Sequence, residues 1–209
     1  MANAANVIGE AEAHRDRGDW RGYFSLLRRA AARGDSTALE HLGQWLMEGY
    51  GTDRGEVLLR RSAARAIVAL ERAVDQGNER AAFSLAQAYE LRGGLEAQAM
   101  RMYRRAASFG DGAAAYNLAC ECRKRRNWRG ERRWLERAVS LGDVDARLAL
   151  LEMDLHRRSR ELSDSAKRRL ARYSRSRDRE LAADAREIVS RFRLGLPRRY
   201  LPAKPDQMA

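Results

Sequence analysis

Apolar positions along this chain keep register with one short phrase written four times: RRAAARGD at 28–35, ERAVDQGN at 71–78, RRAASFGD at 104–111 and ERAVSLGD at 136–143. The glycines of the phrase, Gly34, Gly77, Gly110 and Gly142, lie 43, 33 and 32 residues apart. Seven residues before each stand Leu27, Leu70, Tyr103 and Leu135, and four before stand Ala30, Ala73, Ala106 and Ala138. Four residues after each stand Ala38, Ala81, Ala114 and Ala146, and eight after stand Leu42, Leu85, Leu118 and Leu150. Apolar residues at spacings of three and four, closed by Gly and reopened by Asp or Asn, predict a helix, a tight turn and a second capped helix in every copy. DWRG at 19–22 and NWRG at 127–130 extend the match upstream in the first and last copies.

A period in this range means stacked helical units, because one helix pair cannot bury its own apolar face. The matched alanines let helix axes approach closely, and the matched Leu and Tyr fill the space between them. No strand pattern competes. The predicted fold is therefore all-α: an α/α solenoid of stacked antiparallel helix pairs with a C-terminal helical cap. The stretch 56–77 is too long for an ordinary second helix and reads as one long helix, or as a short helix followed by the usual one. Residues 4–16 place Val7, Ile8 and Ala11 on one face and supply the first helix of an incomplete pair. Beyond the last copy, Ala166, Leu170 and Tyr173 share one face of 163–174, and Leu181, Ala185, Ile188 and Phe192 share one face of 179–194, which predicts two capping helices. All three prolines fall after residue 196, where they break no helix. The expected organisation is a repeat array over 1–158, basic capping helices over 159–196 and a flexible tail over 197–209.

ALEHLGQWLMEGYGTD at 38–53 resembles the first helix and loop of the Sel-like repeat (SLR) family, a relative of the tetratricopeptide repeats. Leu42, Gly43, Leu46, Gly49 and Gly51 occupy the places of that pattern, and Leu85 with Tyr89 repeats the Leu and the aromatic. The resemblance covers about residues 19–155 and departs from the pattern in places. The G-x-G loop survives clearly once, and Gly43 is replaced by Ala86, Ala119 and Leu151 in later copies. The resemblance implies a non-catalytic scaffold or adaptor that binds a protein or peptide. It is also compatible with a bacterial regulator or a toxin-neutralising partner.

Composition changes this picture at one end of the chain. The net charge is +12, and residues 156–209 carry +9 of it. The N-terminal stretch lacks the basic patch and apolar run of a signal peptide, and no apolar run approaches bilayer length, so a cytoplasmic location is expected. Cys120 and Cys122 are two apart on a helix and cannot bridge each other. His14, His41 and His156 have no ligand spacing, so neither a metal nor another cofactor is expected. No Gly-rich phosphate loop, Ser elbow or Cys/His constellation is present, which argues against an enzyme. Glu71 and Glu136 recur beside arginines and read as helix-surface pairs.

Two binding surfaces are then in view. If the copies correspond to tetratricopeptide repeats, first helices line a concave groove with Glu40, Gln44 and Glu48, then Arg80, Phe83, Gln87 and Glu90, then Tyr116, Arg123 and Lys124, and finally Glu152. Such a face suits a mixed-charge partner with an apolar anchor. The alternative is a nucleic acid or other polyanion held by Arg168, Arg169, Arg172, Arg175 and Arg177, with Tyr173 interleaved. Asp164, Asp178, Glu180, Asp184 and Glu187 dilute that run, which favours the groove. No membrane or small-molecule substrate is implied.

Overall fold

A computed structural model describes residues 4–52, 55–157, 164–176 and 179–191. Eleven helices are present among the described residues. They are α1 (Ala4–Asp16), α2 (Trp20–Ala32), α3 (Ser36–Glu48), α4 (Ala63–Asp75), α5 (Ala81–Arg92), α6 (Glu96–Ser108), α7 (Gly112–Lys124), α8 (Trp128–Ser140), α9 (Val144–Arg157), α10 (Asp164–Tyr173) and α11 (Arg179–Arg191). The chain divides into two compact units, residues 1–114 and 115–209, and the division falls within α7.

The repeat phrase folds as a helix end and a restart. Gly34 has φ 86°, and Asp35 N–H returns to Ala30 O at 3.1 Å while Gly34 N–H donates to Ala31 O at 3.0 Å. This double closure of a helix C-terminus needs a left-handed residue, which glycine supplies without a Cβ clash. Gly77, Gly110 and Gly142 repeat it with φ between 84° and 99°. Asp35, Asp111 and Asp143 then accept from the backbone N–H groups of Ala38, Ala114 and Ala146 at 2.7–2.8 Å, capping the next helix. Asn78 departs from this rule: α5 starts later, without a side-chain cap.

DWRG and NWRG form a second recurrent turn. Asp19 and Asn127 accept from the backbone N–H groups of Gly22 and Gly130 at 2.9 and 3.0 Å. The cap side chain lies so close that a Cβ on either glycine would meet it, at 2.4 Å from Asp19 and 2.6 Å from Asn127. The copies differ just before the cap. Gly18 takes the left-handed position in the first, whereas Arg126 takes it in the last with φ 55°.

In the first unit the helices pack in sequence order, α1 with α2, α3 with α4 and α5 with α6, each pair also resting on the next. α1 is thus paired with α2, which corrects the expectation of an incomplete N-terminal pair. Val7 and Ala11 of α1 are buried, as are Leu27, Leu70, Tyr103 and the alanines of the repeat. Gly43 on α3 sits against Leu70 of α4, and a Cβ there would lie 2.5 Å from Leu70 Cγ. Five rings, Trp20, Tyr23, Phe24, Trp45 and Tyr50, cluster across α2, α3 and β1, with centroids 4.4–6.2 Å apart and mostly edge-on.

The stretch after α3 is a second correction. β1 (Tyr50–Gly51) and β2 (Val57–Leu59) pair antiparallel, so strand is present where none was expected, and α4 starts only at Ala63. The Ser62 side chain accepts from Arg65 N–H at 3.3 Å and sets that start. Ahead of it, Leu59 is buried, Glu56 O accepts from Thr52 N–H at 2.8 Å, and Leu58 O accepts from Arg28 Nη2 at 2.7 Å. These contacts outcompete continued helix for the apolar run at 57–59.

In the second unit α8 packs on α9, α9 on α11 and α10 on α11. Leu148, Leu151, Leu170, Leu181, Ala185 and Ile188 form its C-terminal core, with Tyr173 packed against them. Phe192 and the tail at 197–209 lie outside the described residues, as does the side chain of Ala166.

Candidate functional site

In the first unit the residues expected to face a partner come from α3 and α5, two first helices that touch each other. Gln44 Nε2 donates to Ser84 Oγ at 3.1 Å, tying α3 to α5. Glu40 is 9% exposed, and its Oε2 accepts from Asn78 Nδ2 at 2.8 Å. Its carboxylate is therefore committed to holding the repeats together, not presented to solvent. Asn78 also donates to Ser36 O at 3.1 Å.

Glu48, Arg80, Gln87 and Glu90 are exposed. Phe83 is half-buried, with its ring centroid 5.8 Å from that of Tyr103 on α6. Tyr103 in turn donates its hydroxyl proton to Glu90 Oε2 at 2.8 Å. An aromatic edge and a carboxylate are thereby held side by side on one face, positioned from behind by a fully buried tyrosine. On the other side of α5, Tyr89 donates to Glu71 at 2.6 Å, and burial followed by that bond raises its hydroxyl to about 12. Glu71 is thus occupied by a tyrosine instead of the neighbouring arginine, whereas Glu136 does pair with Arg132 at 2.9 Å.

The remaining expected residues belong to the second unit. Tyr116 is half-buried, and burial, then the neighbouring Cys120, pushes its hydroxyl up to about 12. Arg123 Nε donates to Glu131 Oε1 at 2.5 Å, and Lys124 Nζ lies 3.3 Å from Glu121. Glu131 is buried, and its second oxygen has no hydrogen-bond partner among the described residues. Both cations are thus matched by carboxylates of the same unit. Glu152 is half-buried, as are Cys120 and Cys122, which form no disulfide. Arg168, Arg169, Arg172 and Arg175 are exposed on and just after α10. Arg177 lies outside the described residues.

Among the described residues, no group of three or more His, Cys, Asp or Glu is placed to hold a metal ion, and no helix is long and apolar enough to cross a membrane. The sequence reading missed a cleft of about 490 Å³ between α2 and α4. Arg72 recurs in the other copies as Arg29, Arg105 and Arg137, but the opening between the helices leaves no mark on the periodicity.

Stacked helix pairs, glycine-closed turns and alanine-lined contacts define the α/α repeat class. The fold is that of the Sel1-like repeat proteins. The Sel1 repeat protein from Oxalobacter formigenes superposes with a TM-score of 0.62 at 16% identity, over 88% of this chain and 70% of that one. The protective antigen c5321 of uropathogenic Escherichia coli strains, which displays an SLR fold, gives 0.69 at 17% identity, over 90% of this chain but only 42% of its own length. No family model matches the sequence, and no curated protein matches it.

Proposed function

We propose that the protein is a non-catalytic interaction scaffold whose first unit binds a protein or peptide segment on the exposed face of α3 and α5. The observation that carries this reading is the arrangement of Phe83 and Glu90 around Tyr103. A half-exposed ring supplies an apolar anchor point at low entropic cost, and the fixed Glu90 carboxylate beside it selects a basic neighbour on the partner. With Glu48 exposed on α3 and Arg80 as the balancing cation, the face suits an extended segment with one apolar side chain followed by Lys or Arg. A helical-repeat fold offers such faces as its ordinary mode of binding. A bacterial adaptor, regulator or toxin-neutralising role fits the same surface, in a cytoplasmic setting.

The test is affinity capture from the native host with the full chain and two variants, Phe83→Ala and Glu48→Lys. A partner retained by the parent and lost from both variants, with their thermal unfolding unchanged or nearly so, supports the reading. A partner that survives both variants and is lost when Arg168, Arg169, Arg172 and Arg175 are changed to Gln overturns it in favour of the polyanion surface on α10.

A further inference from the structure

The second helices of the first unit carry an unfilled groove. α2 and α4 flank α3, and between them opens the cleft of about 490 Å³, floored by Leu39, Leu42 and Leu46 and walled by small alanines of the two flanking helices. Val68 stands in one wall and is 58% exposed, a large apolar side chain facing water on the middle of α4. β2 lies against α2 beside this region and is held there by Arg28.

The rim is uniformly positive. Arg28 on α2 and Arg65 and Arg72 on α4 are all exposed, and none makes an ion pair among the described residues. No carboxylate lines the cleft. Elsewhere in the same unit arginines do find acids, as Arg21 with Glu56 and Arg105 with Glu79, both at 2.7 Å. An apolar trough between two helices receives a third helix by its apolar face, and rim cations then select the charge of that helix's flanks.

We infer that this second-helix groove docks an acidic amphipathic helix of a partner protein, its apolar stripe over Leu42 and Val68 and its carboxylates on Arg65 and Arg72. This surface is separate from the α3–α5 face, so one repeat unit engages two segments at once. It is a route by which a scaffold joins two partners.

The groove is tested with a displayed library of helical peptides about fifteen residues long, selected on the full-length protein. Enriched peptides are expected to carry apolar residues at i, i+3 or i+4, and i+7, flanked by Asp and Glu. A synthetic peptide from the selection should lose at least about tenfold in affinity, some 1.4 kcal/mol, on Val68→Asp and on the double variant Arg65→Glu, Arg72→Glu. Its counterpart with Lys in place of every Asp and Glu should prefer the double variant to the parent. Phe83→Ala should leave all of this unchanged, which separates the groove from the α3–α5 face. All three substituted groove positions are exposed, and circular dichroism of each variant checks that the helices persist. Selection without acidic bias, binding indifferent to the groove variants, or sodium oleate bound in the cleft with no peptide enriched would each overturn the inference.

Discussion

Asn78 Nδ2 donates to Glu40 Oε2 at 2.8 Å, a bond between the turn that follows α4 and the first helix of the preceding repeat. The three aspartates at the equivalent positions cap their own helices instead. Asn is needed here because only an amide can donate to both Glu40 and Ser36 O while carrying no charge of its own. Asn78→Asp restores the repeat consensus yet sets a carboxylate against a mostly buried one. We expect it to destabilise the protein by about 1–3 kcal/mol, read by urea denaturation. Glu40→Gln in the same background should recover part of the loss.

Gly43 marks a close approach of α3 to α4. Alanine gains about 1 kcal/mol of helix propensity over glycine, but its Cβ would lie 2.5 Å from Leu70 Cγ, and Leu70 is fully buried with little room to turn. Overpacking of this kind costs about 1–3 kcal/mol. Gly43→Ala should therefore lower stability despite matching Ala86 and Ala119 of the later copies. Pairing it with Leu70→Ala should cost less than the two changes added together.

Glu79 and Arg105 make a two-point ion pair, with both bonds at 2.7 Å, between the start of the second repeat and α6. The hydrogen bonds from Arg105 hold the Glu79 carboxyl below its ordinary value of 4.5, against a smaller opposing effect of burial. A depressed folded-state value means the contribution is present above the unfolded value and is lost as pH falls through the folded one. Arg105→Gln should cost about 0.5–1 kcal/mol near neutrality. In acid below pH 4.5 the variant and the parent should converge, as followed by thermal unfolding across a pH series.

Arg126 occupies with φ 55° the place that Gly18 fills in the matching turn. A left-handed backbone costs a side-chain-bearing residue roughly 1–2 kcal/mol, more than the about 0.5–1 kcal/mol that glycine gives up in chain entropy. Arg126→Gly should raise stability by about 0.5–1 kcal/mol, measured by chemical denaturation. Arg126→Val should lower it, because branching at Cβ worsens the same clash.

The sequence by itself determined the helices, their order and their turns. Period, phrase and cap are local properties: Leu27 with Ala30 and Gly34 specify a helix end whatever surrounds them, and Asp35 specifies the next start. The capping helices were equally legible, since Leu170, Leu181, Ala185 and Ile188 fall on single helical faces and are buried as that pattern requires. Tertiary structure alone decided what depends on a neighbour far away in sequence. The run at 57–59 became strand because Arg28, 30 residues earlier, took the Leu58 carbonyl and held the run where Tyr50 and Gly51 pair with it. Glu40 left the candidate surface because Asn78, 38 residues later, took its carboxylate, and the cleft between α2 and α4 arose from the distance between two helix axes. Periodicity says which face of a helix turns inward. It cannot say how far the next helix stands from that face, nor which polar group waits across the gap.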